Sequence, residues 1–406
     1  FSLVLPIFGV AGLAVAQPLL SLLGENPTYF TAHDARPLDV VLLAVALVLL
    51  PALVFIVPVS VIWLISRRAG KIAAAISIGL LGTIWVVAAI DSSDGWAVAA
   101  FVAVVALGTA LLAWCYLRLR PLQLFVRYLA FAPILFVALF LFTSGARPLV
   151  WGDDPAAVAA ASRSEAPVIV LVFDEFALGN VLTPDGTIDG QRFPGFERLA
   201  SVSTWYPNAT TSANQTFMAI PAILTGTIPN DEAPPVAGQY PLSLFTMLGA
   251  SRTVHAGELV SSICPRSICE SDQDPAARRG LARDTSIVAL HQLLPAAVTD
   301  SWLPSVTGSW ANFGNEASVP LPDDDIELEF TEWHSRWSAG ELTGHAVDYA
   351  GFLASLSPDG DPGVWYQHQM LPHRPYRYLP DGRSYDSSEP LALGDSNTWA
   401  TDPLST

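Results

Sequence analysis

The chain has 406 residues, of which 51% are hydrophobic and 14% charged, and its formal net charge at pH 7 is -17. This charge argues against nucleic-acid binding, which requires a basic surface, so no nucleic-acid partner is expected. The length allows two or more domains. Because the apolar residues are concentrated in the first third of the chain, we expect a membrane part joined to a soluble part.

Five apolar segments lie within residues 1–145, and each is close to the roughly 20 residues that cross a bilayer. The segments cover about 1–23, 41–65, 72–90, 97–117 and 128–145. Pro51 and Pro58 fall inside the second segment, where a membrane helix tolerates proline. The first segment could also be a signal sequence, but it lacks a basic leader and four more segments follow it. The pattern therefore predicts a five-helix transmembrane domain.

The charges of the connecting loops predict the orientation of these helices. The stretches 66–71 and 118–127 carry basic residues and no acid, whereas the stretches 24–40 and 91–96 are mainly acidic. By the positive-inside rule the basic stretches are cytoplasmic. We therefore expect a multi-pass protein of the cytoplasmic membrane whose residues 167–406 lie on the outer side, after a linker at 146–166. The spans carry no acid or base near their middle, which argues against an ion path.

Residues 167–406 alternate short apolar runs with helical stretches, the pattern of an α/β layered domain. Predicted strands cover 169–173, 203–208, 252–255 and 363–368, and predicted helices begin at 193 and cover 242–248 and 345–356. The acid-rich stretch 320–340 is expected to be a solvated surface excursion.

The first predicted strand ends in two adjacent carboxylates, Asp174 and Glu175. Its run of branched and aliphatic residues is typical of a strand buried on both faces in the middle of a parallel sheet. Ligands of open α/β sheets bind outside the carboxyl ends of the strands, so a metal or substrate is expected at this edge. The alternative is that both acids only begin a solvated loop.

A second stretch, 208–226, passes from small polar residues into an amphipathic run that ends at Gly226. By default, Thr216 at this boundary caps the N-terminus of a helix. Alternatively, its hydroxyl is a nucleophile, provided that metal coordination stabilises the ionised form. The amides of a helix N-terminus would then favour an arriving phosphate.

Two of the seven histidines of the chain, His368 and His373, lie within six residues of one another. Each could be an ordinary loop histidine bonded to the backbone. As functional groups, neutral imidazoles bind metals, and protonated ones hold phosphoryl oxygens or assist a leaving group.

Cys264 and Cys269 bracket a short loop of the part expected outside the membrane. Two nearby cysteines in an oxidising compartment favour a local disulfide that fixes one turn. Zinc binding by these two thiolates is the alternative, but no second Cys or His pair follows at a zinc-finger spacing.

With five predicted spans followed by these motifs, the chain resembles the membrane-anchored branch of the alkaline phosphatase/sulfatase superfamily. That branch contains lipoteichoic acid synthases and lipid A phosphoethanolamine transferases. The resemblance implies an outward-facing three-layer α/β domain. It places the first metal-binding acid at Asp174, with Glu175 as a second ligand, and it leaves the division of labour between them open. The metal implied is zinc or manganese.

The same resemblance places the nucleophile at Thr216, because this threonine lies ten residues before Gly226 and five before Pro221. The Cys-x-Pro-x-Arg motif of true sulfatases is absent, which argues against sulfate-ester hydrolysis by their mechanism. The stretch His368-Gln-Met-Leu-Pro-His373-Arg-Pro resembles the transferases' His-Gln-Met-Gly-Asn-His-Gly-Pro segment. His368 and His373 would then contact substrate or a second zinc.

The chain departs from the family in one respect: the Asp-His pair that completes the metal site after the histidine segment does not occur in it. Either the sequence ends before that pair, so that the catalytic domain is incomplete, or the site is degenerate. The expected function is transfer of a phospho-head group from a membrane lipid to an envelope glycan or glycolipid, through a phospho-threonine. A hydrolase of the same fold and a non-catalytic envelope scaffold are the alternatives.

Overall fold

The computed structural model describes most of the chain up to residue 372. The described residues are 3–89, 98–158, 164, 166–228, 233–269, 275–295, 298–299, 302–304, 306, 313, 345–356 and 362–372. The predicted loop at 91–96 and the predicted surface excursion at 320–340 lie outside these residues.

Within the described residues, five helices are long and apolar enough to cross a membrane. The helices of this region are α1 (Val4–Glu25), α2 (Thr28–Thr31), α3 (Pro37–Ile65), α4 (Arg67–Ala89), α5 (Val98–Arg118) and α6 (Arg120–Thr143), of which only α2 is too short to span. The five predicted membrane helices are therefore confirmed. Which membrane they cross, and on which side the rest of the chain lies, stay predictions.

The basic stretches predicted as loops are largely helical. Arg67 begins α4, and α6 begins at Arg120, well before the predicted start at residue 128. Pro121 lies in the first turn of α6, where its fixed φ angle suits a helix and its missing N–H is no loss. Arginine is itself a good helix former, so the basic charges extend the helices instead of interrupting them.

Close backbone approach holds α1 against α6. A Cβ atom added to Gly9 would lie 2.7 Å from the backbone nitrogen of Ala130, so only glycine allows this contact. Ile7 and Leu19 of α1 are fully buried, whereas Leu64 and Leu107 on other helices expose more than seven-tenths of their surface. Large exposed apolar side chains on long helices are typical of a lipid-facing surface.

Beyond α6 the described elements are short. They are α7 (Arg147–Trp151), β1 (Val168–Phe173), α8 (Pro194–Val202), α9 (Thr216–Thr225), α10 (Leu244–Leu248), β2 (Val254–Gly257), α11 (Pro275–Leu293), α12 (His345–Ser355) and β3 (Val364–Gln369). The strand predicted at 203–208 is wrong, because these residues form no strand. Pro207 and Asn208 favour a turn there, and proline cannot donate to a sheet.

The three strands form a sheet in the order β1–β3–β2. The Val168 amide donates to the Gly363 carbonyl at 3.0 Å, and the Asp174 amide donates to that of Gln369 at 2.9 Å. Both strands therefore advance together, so β1 and β3 are parallel. The prediction that β1 lies in the middle of a sheet is wrong for the described residues: β3 is central and buried at all six positions, while β1 is half-buried. An apolar run predicts that a strand is at least partly buried, but it does not predict how many strands pair with it.

The chain divides into two compact units. Unit 1 comprises Phe1–Val170, Asn208–Phe313 and Asp361–Tyr366, and unit 2 comprises Leu171–Pro207, Gly314–Gly360 and Gln367–Thr406. A cluster of aromatic rings forms the described core of unit 2, with centroids of neighbouring rings about 5–6 Å apart: Phe173, Phe176, Phe193, Phe196 and Tyr349. The predicted domain boundaries at residues 145 and 166 stay a prediction, and so does the complete three-layer α/β fold.

Within unit 1, a buried polar cluster joins the segment around α2 to α11. The Nε2 atom of His33 lies 2.9 Å from an oxygen of Asp284, whose side chain is fully buried. The hydroxyls of Tyr29 and Thr285 are 2.9 Å apart, and burial raises the pKa of Tyr29. Arg283 donates to the second oxygen of Asp284 at 3.0 Å. Each polar group supports a neighbour, which is the condition for burying a carboxylate.

We expect His33→Ala to lower the free energy of unfolding by about 3 kcal/mol or more, because it leaves a buried carboxylate without one of its partners. The measurement is thermal and denaturant unfolding of the full chain in detergent. His291→Ala is the matched control, since the half-buried ring of His291 bonds to a backbone carbonyl, that of Pro304, at 2.9 Å. Equal losses in the two variants would contradict the stabilising role of the His33–Asp284 pair.

Candidate metal-binding pair at the sheet edge

Asp174 and His368 meet at the carboxyl end of the sheet in unit 2. Asp174 follows the last residue of β1, and His368 is the penultimate residue of β3. Because the two strands are parallel neighbours, both side chains emerge at the same edge. The Nε2 atom of His368 lies 3.4 Å from the Oδ2 atom of Asp174.

His368 is fully buried, and neither of its ring nitrogens has a hydrogen-bond partner among the described residues. The approach to Asp174 is within ion-pair range but does not meet hydrogen-bond geometry. A buried polar group without a partner costs free energy, and such groups are rare in folded proteins. The side chain of Asp174 is 13% exposed, so the pair remains within reach of a ligand from outside.

Imidazole nitrogen and carboxylate oxygen are both common zinc ligands. Asp174 and His368 therefore fit a divalent cation, and a bound cation would satisfy the buried ring. The described part of the chain contains no group of three or more His, Cys, Asp or Glu that could hold a metal, whereas a zinc site takes about four ligands. His373, the other predicted histidine, lies outside the described residues. The described pair therefore accounts for half of such a ligand set.

Glu175 is exposed and adopts a left-handed backbone conformation, with φ at 56°. A non-glycine residue in this region carries roughly 1–3 kcal/mol of strain, and strained residues cluster at functional sites. The backbone turns directly after Asp174 and carries the Glu175 side chain out of the strand. Its predicted role as a second metal ligand stays a prediction.

Thr216 belongs to unit 1 and is the first residue of α9, where it is half-buried. The residue at the cap position is Gln215, which makes no side-chain capping hydrogen bond, so the interpretation of Thr216 as the cap is wrong. At the other end of the helix, Gly226 adopts φ 67°, a conformation that glycine accepts readily and that ends many helices. Thr216 is therefore a first-turn hydroxyl, and its role as nucleophile stays a prediction.

A disulfide joins Cys264 and Cys269 in unit 1, and a carboxylate that the sequence interpretation overlooked organises the same loop. Glu258 follows the end of β2, and its two oxygens accept the amides of Ile263 and Cys264 at 2.8 Å each. The Ser261 hydroxyl donates to it at 2.7 Å. A signal was present in the sequence, since Glu258 lies three residues after the end of the strand predicted at 252–255.

Within unit 1, the disulfide loop also contacts the residues after α7 and, through a bond from the Arg266 guanidinium to the Ala35 carbonyl, the segment before α3. Asp154 accepts the amides of Arg266 and Ser267 at 2.9 and 3.1 Å. Burial lowers the pKa of Arg266 and raises that of Asp34, and the attraction between the two charges opposes both shifts. The carboxylates of Asp154 and Glu258 thus stabilise the backbone of the disulfide loop.

We expect Asp174→Asn to weaken binding of Zn²⁺ or Mn²⁺ by the full chain at least about 100-fold, since even the loss of an outer-shell partner costs 10–100-fold. Metal content after equilibration, measured by mass spectrometry on protein in detergent, tests this directly. Asp185→Asn is the matched control, because Asp185 lies in an exposed turn of unit 2. Equal metal content in both variants would exclude Asp174 as a ligand.

Searches of protein-family models, curated proteins and solved structures find no match to this chain. The resemblance to the alkaline phosphatase/sulfatase superfamily therefore stays a prediction that rests on the motifs. The chemistry of the site follows from the described residues and from those motifs alone.

Proposed function

We propose that the protein is a membrane-anchored, metal-dependent phosphotransferase of the cell envelope that moves a phospho-head group from a lipid to an acceptor. The observation that carries the proposal is the buried His368 facing Asp174 at the carboxyl ends of two parallel strands. Five helices capable of spanning a membrane supply the anchor. The acceptor class is an envelope glycan or glycolipid.

In the proposed site, Asp174 and His368 would hold a divalent cation, with Glu175 as a further ligand. A divalent ion, zinc or manganese, lowers the cost of ionising a hydroxyl and polarises a phosphodiester when it is bound. His368 is suited to this role because its ring is fully buried and its nitrogens have no hydrogen-bond partner among the described residues. Glu175, with its strained left-handed backbone, directly follows Asp174, and such strain is typical of functional sites.

The first chemical step is attack by Thr216 on the phosphorus of the lipid head group. A bond forms between its Oγ atom and phosphorus while the bond from phosphorus to the glycerol oxygen breaks, and the threonine proton ends on that departing oxygen. The products are a phospho-threonine and diacylglycerol. Thr216 suits this step because it lies in the first turn of α9, and the positive end of the helix dipole favours an arriving phosphate.

The second step returns the enzyme to its starting state. An acceptor hydroxyl attacks the same phosphorus, its bond to Oγ breaks, and the acceptor proton returns to Thr216. His373 is proposed to position the phosphoryl oxygens. If water takes the place of the acceptor, the same machinery is a hydrolase.

A membrane anchor serves this chemistry by effective concentration. The donor lipid is confined to the bilayer, and helices that cross the same bilayer keep the nucleophile close to it. A soluble enzyme would have to find the lipid surface anew in each cycle. We propose that the site faces the outer side of the cytoplasmic membrane.

We expect Thr216→Ala to abolish head-group transfer, with a loss of at least about 10³-fold, since removal of a nucleophile costs this much or more. The assay incubates the full chain in phospholipid vesicles with a head-group-labelled lipid, and follows both label transfer and phospho-threonine by mass spectrometry. Thr225→Ala is the control at the other end of α9, where the hydroxyl bonds to the Pro221 carbonyl at 2.7 Å.

Retained turnover in Thr216→Ala, with unchanged thermal unfolding, would remove this residue from the mechanism. Label that appears only as free head-group phosphate, whatever glycan or glycolipid acceptor is added, would identify a hydrolase. If the wild-type chain shows neither turnover nor metal binding, the result favours the scaffold alternative.

A further inference from the structure

A cavity of about 630 Å³ lies in unit 1 at the end of the helical bundle where the chain leaves α6. Its walls are the last turns of α1 and α6, together with Phe217 at the start of α9 and the prolines at 234–235. The Gly145 amide donates to the Gly24 carbonyl at 2.9 Å, so the two membrane helices are joined at its rim. The volume is in the range of small-molecule sites, roughly 300–1,000 Å³.

The lining is amphiphilic. Leu20, Phe136, Leu139 and Phe140 supply apolar surface from the two membrane helices, while hydroxyl and amide groups such as those of Ser21, Asn26 and Thr143 lie around them. Among the described residues that line the cavity, Glu25 is the only charged one. A cavity without a basic residue does not favour phosphate inside it, but it suits acyl chains and the glycerol esters next to them.

We propose that this cavity is a lipid-binding site that takes the acyl–glycerol part of a membrane phospholipid. Two of its walls are helices long and apolar enough to span a membrane, so a lipid can enter it from the bilayer without crossing water. The apolar lining replaces the contacts that an acyl chain makes in the membrane. The Asn26 side-chain amide donates one N–H to the Leu22 carbonyl at 2.8 Å, and its second N–H can bond to an ester carbonyl.

The position of Phe217 connects the cavity to the nucleophile. Phe217 lines the cavity and directly follows Thr216 in the first turn of α9, so their Cα atoms are about 3.8 Å apart. A lipid whose glycerol end lies against Phe217 would present its phosphate next to the N-terminus of α9, where the helix dipole favours an anion. A lipid bound in this position would be the donor of the proposed transfer, which makes the donor a glycerophospholipid. This identification of the donor rests on the proposed function.

Lipid occupancy can be measured without catalysis. The probe is phosphatidylglycerol with a photoactivatable group on one acyl chain, diluted into phosphatidylcholine vesicles that contain the full chain. After illumination, mass spectrometry maps the labelled residues. We expect adducts on Leu139 and on the peptide that contains Phe217, and we expect unlabelled phosphatidylglycerol to compete with both.

A matched pair of variants separates the cavity from the general lipid-facing surface. Leu139 and Leu135 lie one turn apart on α6 and are 47% and 55% exposed, but only Leu139 lines the cavity. Leu139→Trp adds bulk to the cavity, and we expect labelling of the Phe217 peptide to fall about tenfold, the effect of losing roughly 1.4 kcal/mol of binding. Leu135→Trp should leave that labelling unchanged.

The lipid-site proposal and the phosphotransferase proposal can fail separately. Thr216→Ala should keep full labelling of the Phe217 peptide, because the cavity does not need the nucleophile, even though transfer is lost. Labelling confined to outward-facing residues such as Leu135 and Phe142, with none at Phe217, would overturn the lipid site whether or not the protein is an enzyme. Equal labelling of the Phe217 peptide in Leu139→Trp and Leu135→Trp would also overturn it.

Discussion

Parallel pairing of β1 with β3 is the interaction on which the candidate site depends. The backbone bonds from Val168 to Gly363 and from Asp174 to Gln369 fix the relative positions of the two strands. A shift by one residue would turn alternate side chains to the opposite face and would separate Asp174 from His368. The central strand is buried at every position, so this register is strongly specified. A buried histidine beside a carboxylate is therefore a consequence of backbone pairing and not of a flexible loop.

Two acids follow strands of the same sheet, and they do different work. The carboxylate oxygens of Glu258 accept hydrogen bonds from two backbone amides and a hydroxyl of the disulfide loop. These bonds give Glu258 a structural role. Asp174 instead faces an imidazole that is fully buried and lacks hydrogen-bond partners among the described residues. In unit 1, by contrast, the His33 ring is bonded at both nitrogens, to the Tyr29 carbonyl and to Asp284. The ring of His368, which has no hydrogen-bond partner among the described residues, therefore differs from a purely structural buried histidine.

Sequence reasoning predicted what depends on composition and local pattern. The five membrane helices follow from apolar length, and the strand at β3 and the helix at α9 follow from short-range periodicity and the closing Gly226. The central position of β3 could not be predicted, because strand order depends on contacts between distant segments. For the same reason the sequence predicts contact of His368 with substrate or a second zinc, but not its position against Asp174. The lipid cavity was not foreseen either, since Phe217 and Leu139 are far apart in the chain.

The chemistry of a phospholipid explains why one chain would need both features. The acyl–glycerol part is apolar and the phosphate is an anion, so a single pocket that suits one part penalises the other. In unit 1 the membrane helices supply a cavity whose described lining has no basic residue, and the first turn of α9 supplies a positive helix end beside it. Phe217 and Thr216 are consecutive residues at that boundary. The scissile bond of a glycerophospholipid lies at the same boundary between its apolar and anionic parts, which is where a nucleophile has to act.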